Sequence, residues 1–142
     1  MKTIRKSVFE TNSSSTHSIS IDDSGANYTS ITPDRDGNIV LKGGQFGWEI
    51  GDFNDPLTKA NYCAVDQLSD EDNIKMLKNV LMEQTGAKRI VFDFSEDYKH
   101  TNWSYIDHQS VGTSNNAFKS EETLRDFIFS KDSVLHTDND NH

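Results

Sequence analysis

The stretch "SDEDNIKMLKNVLMEQTGAKRIVFDF", residues 69–94, decides the fold class because it joins an amphipathic helix to a strand. Ser69 is a helix-capping residue, and acidic side chains follow it where the positive end of the helix dipole lies. Gly86 is the usual kind of residue at which a helix ends. Apolar residues recur at helical spacing on one predicted face: Ile74, Leu77, Val80 and Leu81.

After Gly86 the apolar period changes from that of a helix to that of a strand, with Ile90, Phe92 and Phe94 on one side.

Two further helices are predicted. The first follows the capping pair Asp55-Pro56, and its predicted buried face is Leu57, Ala60, Ala64 and Leu68. The second is capped by Ser120, and its predicted buried residues are Leu124, Phe127 and Ile128.

The remaining apolar runs predict strands over 3–9, 17–22, 103–108 and 133–136. Residues 28–43 predict a β-hairpin whose loop runs from Pro33 to Gly37, and residues 109–118 predict a loop. The order of elements indicates an α+β fold with a mixed or mainly antiparallel sheet and about three helices packed on it. We expect a single domain over 1–137 and a polar C-terminal tail over 138–142.

Composition limits the classes of partner. The chain has 142 residues and a net charge of −9, which opposes generic binding to nucleic acid or to an anionic membrane. Cys63 is the single cysteine, so an intrachain disulfide is excluded. The sequence has no apolar run near the ~18 residues of a membrane span and no signal peptide at its start. These features predict a protein of a reducing cytoplasm.

Three polar clusters follow predicted strands, at residues 11–18, 106–110 and 136–141. Strand ends that feed polar loops are a usual place for sites. Imidazole titrates near neutral pH, so we predict His17 and His108 as a catalytic acid–base pair for a phosphodiester. We assign ligand binding to residues of these clusters, to one arginine and to one aromatic side chain: Arg5, Asn12, Ser13, Ser14, Ser15, Thr16, Trp48, Asp107 and Ser110. Lys6, next to Arg5, is a second source of positive charge.

Other interpretations of these clusters stay open. The serine-rich segment is also typical of a turn whose side chains satisfy their own backbone. A metal site from His17, Asp107, His108 and a tail aspartate (Asp138 or Asp140) is weakened because neighbours on a strand point to opposite faces. The glycine-rich aromatic segment at 43–56 favours a lid over the core, or a ligand platform at Trp48. No cofactor is assigned.

The block "IRKSVFETNSSSTHSISI" (4–21), with "FGWE" (46–49), "YIDHQS" (105–110) and "TDNDN" (137–141), resembles a group of small proteins encoded by tailed bacteriophages and prophages. The resemblance implies a setting, a phage accessory protein in the cytoplasm of an infected bacterium, and carries over no catalytic residue. Within that setting we expect a host-takeover or counter-defence factor that binds a host protein or a nucleotide- or phosphate-containing signal. The alternative is a phosphodiester- or nucleotide-processing hydrolase or transferase using His17, His108 and the serine loop. Metal assistance and homo-oligomerisation are left open.

Overall fold

A computed structural model describes residues 17–46, 51–93, 105–106 and 112–137. In these ranges the strands are β1 (Ser18–Ser20), β2 (Asn38–Leu41), β3 (Gln45–Phe46), β4 (Gly51–Phe53), β5 (Arg89–Phe92), β6 (Tyr105–Ile106) and β7 (Val134–Thr137). The helices are α1 (Pro56–Asp66), α2 (Glu71–Thr85), a 3-10 helix (Thr113–Lys119) and α3 (Glu121–Phe129).

The strands form one antiparallel sheet and two parallel pairs. The antiparallel sheet has the order β1-β7-β4, and the parallel pairs are β2-β5 and β3-β6. A parallel pair needs a long crossover, and α1 and α2 lie in the chain between β2 and β5. The predicted α+β class is therefore confirmed as a single small domain with mixed strand pairing.

The capping and periodicity patterns predicted the three α-helices correctly but assigned the wrong N-cap to α2. Asp55 caps α1 by accepting a hydrogen bond from the Thr58 amide at 2.9 Å, and Gly86 ends α2 at φ 80°. The cap of α2 is Asp70 and not Ser69, because the Asp70 side chain accepts from the Asn73 amide at 3.1 Å. Ser and Asp are both favoured at N-caps, so the backbone geometry after α1 determines which of the two caps α2.

The predicted apolar faces are right for α2 and α3 and partly wrong for α1. Leu77, Val80 and Leu81 are buried, with Ile74 at the edge of the core. The three apolar residues predicted for α3 are buried as well. On α1, Leu57 is 42% and Leu68 51% exposed, whereas Ala60 and Ala64 are buried. Leu68 lies beyond the end of α1, so the helical period does not reach it.

The predicted hairpin is wrong. Its turn exists, since Asp34 accepts from the amides of Asp36 and Asn38 at 2.9 Å each. The strand after the turn, β2, pairs in parallel with β5 instead of folding back on the preceding run. Turn chemistry is local, but the choice of a strand's partner depends on packing of residues far apart in the chain.

The predicted loop at 109–118 is also wrong in part, because a 3-10 helix occupies Thr113–Lys119. The Asp66 carboxylate, at the end of α1, accepts from the amides of Gly112 at 2.7 Å and Ser114 at 2.9 Å. This acceptor satisfies amides at the helix start that have no partner within the helix. It comes from a residue almost fifty positions away, so no local signal marks this helix.

Other predicted strands are placed as expected where they are described. β1 lies in 17–22, β7 overlaps 133–136 and β6 lies in 103–108. The strand predicted for 3–9 and the tail at 138–142 lie outside the described residues. Within the described ranges, no helix is both long enough and apolar enough to cross a membrane.

The core lies between the helices and the inner faces of the strands. Its largest apolar members include Leu41, Tyr62, Leu77, Leu81, Leu124, Phe127, Phe129 and Leu135. Cys63 is also buried, and burial raises the pKa of its thiol, so the group packs as a small apolar residue. The helices and the strands β1, β2, β5 and β7 therefore each turn one face to a common interior.

A charged side chain lies within this core. Lys59 of α1 is 0% exposed, and its Nζ donates to the carbonyl oxygens of Ser130 and Ser133 at 2.8 Å each. Its ammonium lies 5.5 Å from the centroid of the Phe127 ring. Burial lowers the pKa of Lys59 from 10.5 to about 8, with nearby Asp55 acting in the opposite direction. The contact joins α1 to the turn from which β7 begins.

We expect the free energy of unfolding to rise between about pH 8 and pH 10.5 because of Lys59. In that interval the unfolded chain holds the lysine proton and the folded chain has lost it, so higher pH favours folding. The full shift corresponds to on the order of 3 kcal/mol. Urea unfolding of the wild type and of Lys59→Met, from pH 7.5 to 10.5, measures this gain as the difference between the two proteins. A difference that does not change with pH would contradict the expectation.

Candidate functional site

His17, predicted as catalytic, lies in the core. The ring is 1% exposed, and its Nδ1 lies 3.0 Å from the hydroxyl of Tyr62 on α1. The two ring centroids are 5.9 Å apart, with the planes tilted by 57°. A substrate in solution does not reach a ring placed in this way, so the described position favours a packing role, and the catalytic role stays a prediction.

The other predicted site residues lie outside the described residues. They are His108, Arg5, Lys6, Asn12, Ser13, Ser14, Ser15, Thr16, Trp48, Asp107, Ser110, Asp138 and Asp140. Their assigned roles stay predictions. Within the described ranges no group of three or more His, Cys, Asp or Glu side chains is placed to hold a metal ion.

The structure does bring two of the three polar clusters together. β1 pairs with β7 in antiparallel register, which places Ser18 of the first cluster opposite His136 of the third. On the other side of β7, Asp52 of β4 lies opposite His136. We call Ser18, His136 and Asp52 the cross-strand row. Their neighbours Ile19 and Leu135 are buried, so the row lies on the outer face of the sheet.

The histidine of the cross-strand row is held by the aspartate. His136 Nδ1 lies 2.5 Å from Asp52 Oδ1, and the two side chains are 40% and 70% exposed. An ionised carboxylate only accepts hydrogen bonds, so the ring hydrogen of neutral His136 lies on Nδ1 and Nε2 is the basic nitrogen. The row therefore presents an oriented, solvent-accessible base.

Polar contacts at the end of α3 set the position of β7. The Ser133 hydroxyl donates to the Asp126 carbonyl oxygen at 2.8 Å and accepts from the Asp22 amide at 2.8 Å. The Ser130 hydroxyl donates to the Asp22 carboxylate at 3.1 Å. With Lys59, these bonds hold the turn at 130–133 from two sides. Because β7 starts at Val134, the turn also sets where His136 stands.

Tyr28 and Asp126 add a part-buried contact to this support. The Tyr28 hydroxyl donates to Asp126 Oδ1. Burial raises the pKa of the Asp126 carboxyl, and the hydrogen bond from Tyr28 acts against that rise. Burial, together with the same hydrogen bond, raises the pKa of Tyr28. The Asp126 side chain is thus buried with a phenol as its donor.

A groove forms a second candidate site, between α2 and β5. It has a volume of about 290 Å³ and is lined by Leu68, Glu71, Ile74, Lys75, Lys78 and Phe92. The Lys78 ammonium lies 5.4 Å from the centroid of the Phe92 ring. The outer face of α2 carries several charged side chains. Two of them, Lys75 and Lys78, lie beside apolar side chains in the groove.

Sequence reasoning missed Asp52, Lys59 and the groove. Asp52 gains its partner through the pairing of β4 with β7, two strands more than eighty residues apart. A lysine on an apolar helix face is ordinarily taken as a surface residue, and nothing local marks Lys59 as buried. Phe92 and Ile74 were predicted as core residues, and each is only partly buried because it borders the groove.

Comparison with known proteins does not place this chain in a family. No protein-family model matches the sequence, and neither the curated proteins nor the solved structures include a match.

Tyr28→Phe is expected to lower the free energy of unfolding at pH 7 by about 1–3 kcal/mol, because it leaves the buried Asp126 carboxylate without its phenol donor. The loss should shrink as the pH falls through the raised pKa of Asp126, where the carboxyl becomes neutral. Urea unfolding between pH 4 and pH 7 measures both effects. The matched background is Asp126→Asn, in which the same Tyr28 change should have no such pH dependence. Equal losses at all pH values in the wild-type background would argue against this account.

Proposed function

We propose that this protein is a binding protein that engages an acidic–apolar peptide segment of another protein in the groove between α2 and β5. The groove is the observation that carries the proposal. Its apolar part is Leu68, Ile74 and Phe92, and Leu68 is half exposed. Exposed apolar side chains that form a contiguous patch, rimmed by polar groups, are typical of interaction sites.

The size of the groove favours an anchoring side chain over a whole small molecule. Small-molecule pockets commonly have about 300–1,000 Å³ and enclose most of their ligand. This groove is at the low end, at about 290 Å³, and several of its lining residues are exposed. One or two apolar side chains of an extended or helical peptide fit such a volume.

The charges on the rim favour an acidic partner. Lys75 and Lys78 line the groove from α2, together with Glu71 one turn before Lys75 on the same helix. Because the chain as a whole carries −9, an acidic segment is repelled by most of the surface and attracted at these two lysines. The expected peptide therefore has an apolar anchor with Asp or Glu on the side that faces Lys75 and Lys78.

The phage setting implied by the sequence resemblance makes a protein of the infected bacterium the proposed partner, as expected for a host-takeover or counter-defence factor. A nucleotide or other phosphate-containing signal is the competing occupant. It would use the same lysines but would need polar contacts to its base and sugar. The apolar lining of the groove supports the peptide instead.

Selection of random twelve-residue peptides on the immobilised full chain tests the proposal. We expect enrichment of peptides with an apolar or aromatic residue next to acidic ones. The double variant Lys75→Glu/Lys78→Glu should raise the dissociation constant of a selected peptide at least about tenfold, because two attractive charges become repulsive ones. The control Lys119→Glu/Lys131→Glu makes the same change of net charge at two exposed lysines away from the groove. It should leave the dissociation constant within about twofold.

Three results would contradict the proposal. One is that selection on the wild-type protein enriches no class of peptide beyond those enriched on the Lys75→Glu/Lys78→Glu protein. Another is equal loss of affinity in the control protein, which would indicate a general charge effect. The third is a rise in melting temperature with ADP-ribose or a cyclic dinucleotide that is abolished by the groove variant, in the absence of peptide binding.

A further inference from the structure

The cross-strand row has the order of groups that nucleophilic catalysis uses. Ser18, His136 and Asp52 stand directly opposite one another on three adjacent antiparallel strands. Side chains at such positions share a face, with Cβ atoms about 4.5–5.5 Å apart. A hydroxyl, an imidazole and a carboxylate thus follow one another across the sheet, with the imidazole in the middle.

The hydrogen bond of the His136 imidazole fits the role of the general base between the hydroxyl and the carboxylate. Asp52 binds Nδ1 at 2.5 Å, which leaves Nε2 as the nitrogen able to take a proton. Among the described residues, His136 hydrogen-bonds only to Asp52, and the Ser18 side chain forms no hydrogen bond. The hydroxyl and Nε2 are therefore both available, and nucleophile–base contacts are often longer before a substrate binds.

The row is accessible and stands on a supported strand. His136 and Asp52 are exposed and Ser18 is half-buried, so a small molecule can approach the face of the sheet. The next positions on that face, Ser20 and its partner Val134, are small and uncharged. The middle strand β7 is held on both sides by β1 and β4, which limits the movement of His136 relative to its partners.

We propose that Ser18 is a nucleophile activated by His136, with Asp52 as the positioning residue, and that the site acts on small activated carboxylic esters. The Ser18 hydroxyl oxygen attacks the ester carbonyl carbon while His136 Nε2 takes the hydroxyl proton. The carbon–oxygen bond to the leaving group then breaks, and the leaving group departs with that proton. Water attacks the acyl-serine with His136 as base, which releases the carboxylic acid and restores Ser18. This activity is independent of peptide binding in the groove.

The test uses the full chain with p-nitrophenyl acetate, and mass spectrometry of digested protein locates the acetyl group. We expect acetylation of Ser18 and slow turnover. Ser18→Ala should abolish both, and His136→Asn should lower the acylation rate by about 10²-fold or more, the contribution of a general base. Ser20→Ala, on the same strand and face, is the matched control and should keep the wild-type rate.

Asp52 has a separate readout because a merely structural role would also lower the rate. Asp52→Asn should slow acylation while Ser18 remains the modified residue, and Asp52→Glu should recover part of the rate. Equal rates for Asp52→Asn and Asp52→Glu would overturn the positioning role.

A second measurement needs no variant. A fluorophosphonate forms a phosphorus–oxygen bond with an activated serine as fluoride leaves, so the wild-type protein should be labelled at Ser18. The proposal is overturned if neither reagent modifies Ser18, or if His136→Asn is acylated at the wild-type rate. In either case, selection of peptides by the groove would be unaffected, so the two proposals fail separately.

Discussion

The buried ammonium of Lys59 is the contact on which the arrangement of this protein depends. A charge removed from water is costly unless it is fully hydrogen-bonded, and here two main-chain carbonyl oxygens at 2.8 Å accept from it. Those carbonyls belong to Ser130 and Ser133, just beyond the C-terminal, negative end of α3, where a cation is favoured. One side chain thereby fixes the distance between α1 and the start of β7.

The position of that turn sets the position of β7, and therefore of both faces of the antiparallel sheet. β7 is the middle strand, so its inner side chain Leu135 packs in the core while His136 lies on the outer face between Ser18 and Asp52. The hydroxyls of Ser130 and Ser133, the Asp22 carboxylate and the Tyr28–Asp126 pair surround the turn, so its polar groups are satisfied within the protein. The candidate site on the outer face and the core on the inner face are therefore set by the same short strand.

Local signals in the sequence were sufficient for the three α-helices but not for the 3-10 helix or for the pairing of strands. Asp55-Pro56, Gly86 and Ser120 mark three helix ends correctly, because capping involves groups within four residues of one another. The hairpin at 28–43 failed although its turn formed, since β2 finds its partner in β5, about fifty residues away. In the candidate sites the sequence indicated Ser18 and His136 as members of polar clusters. It did not indicate Asp52, which stands within an otherwise glycine-rich and aromatic segment.

By itself, the sequence determined the α+β class, the three α-helices with most of their buried faces, and strands at β1, β5 and β7. These depend on periodicity and capping, which act over a few residues. Only the tertiary structure decided that His17 packs against Tyr62, that Lys59 is buried, that α2 and β5 leave a groove, and that Ser18, His136 and Asp52 share a face. Each of these joins residues at least about fifteen positions apart, and such contacts depend on which surfaces remove the most apolar area from water together.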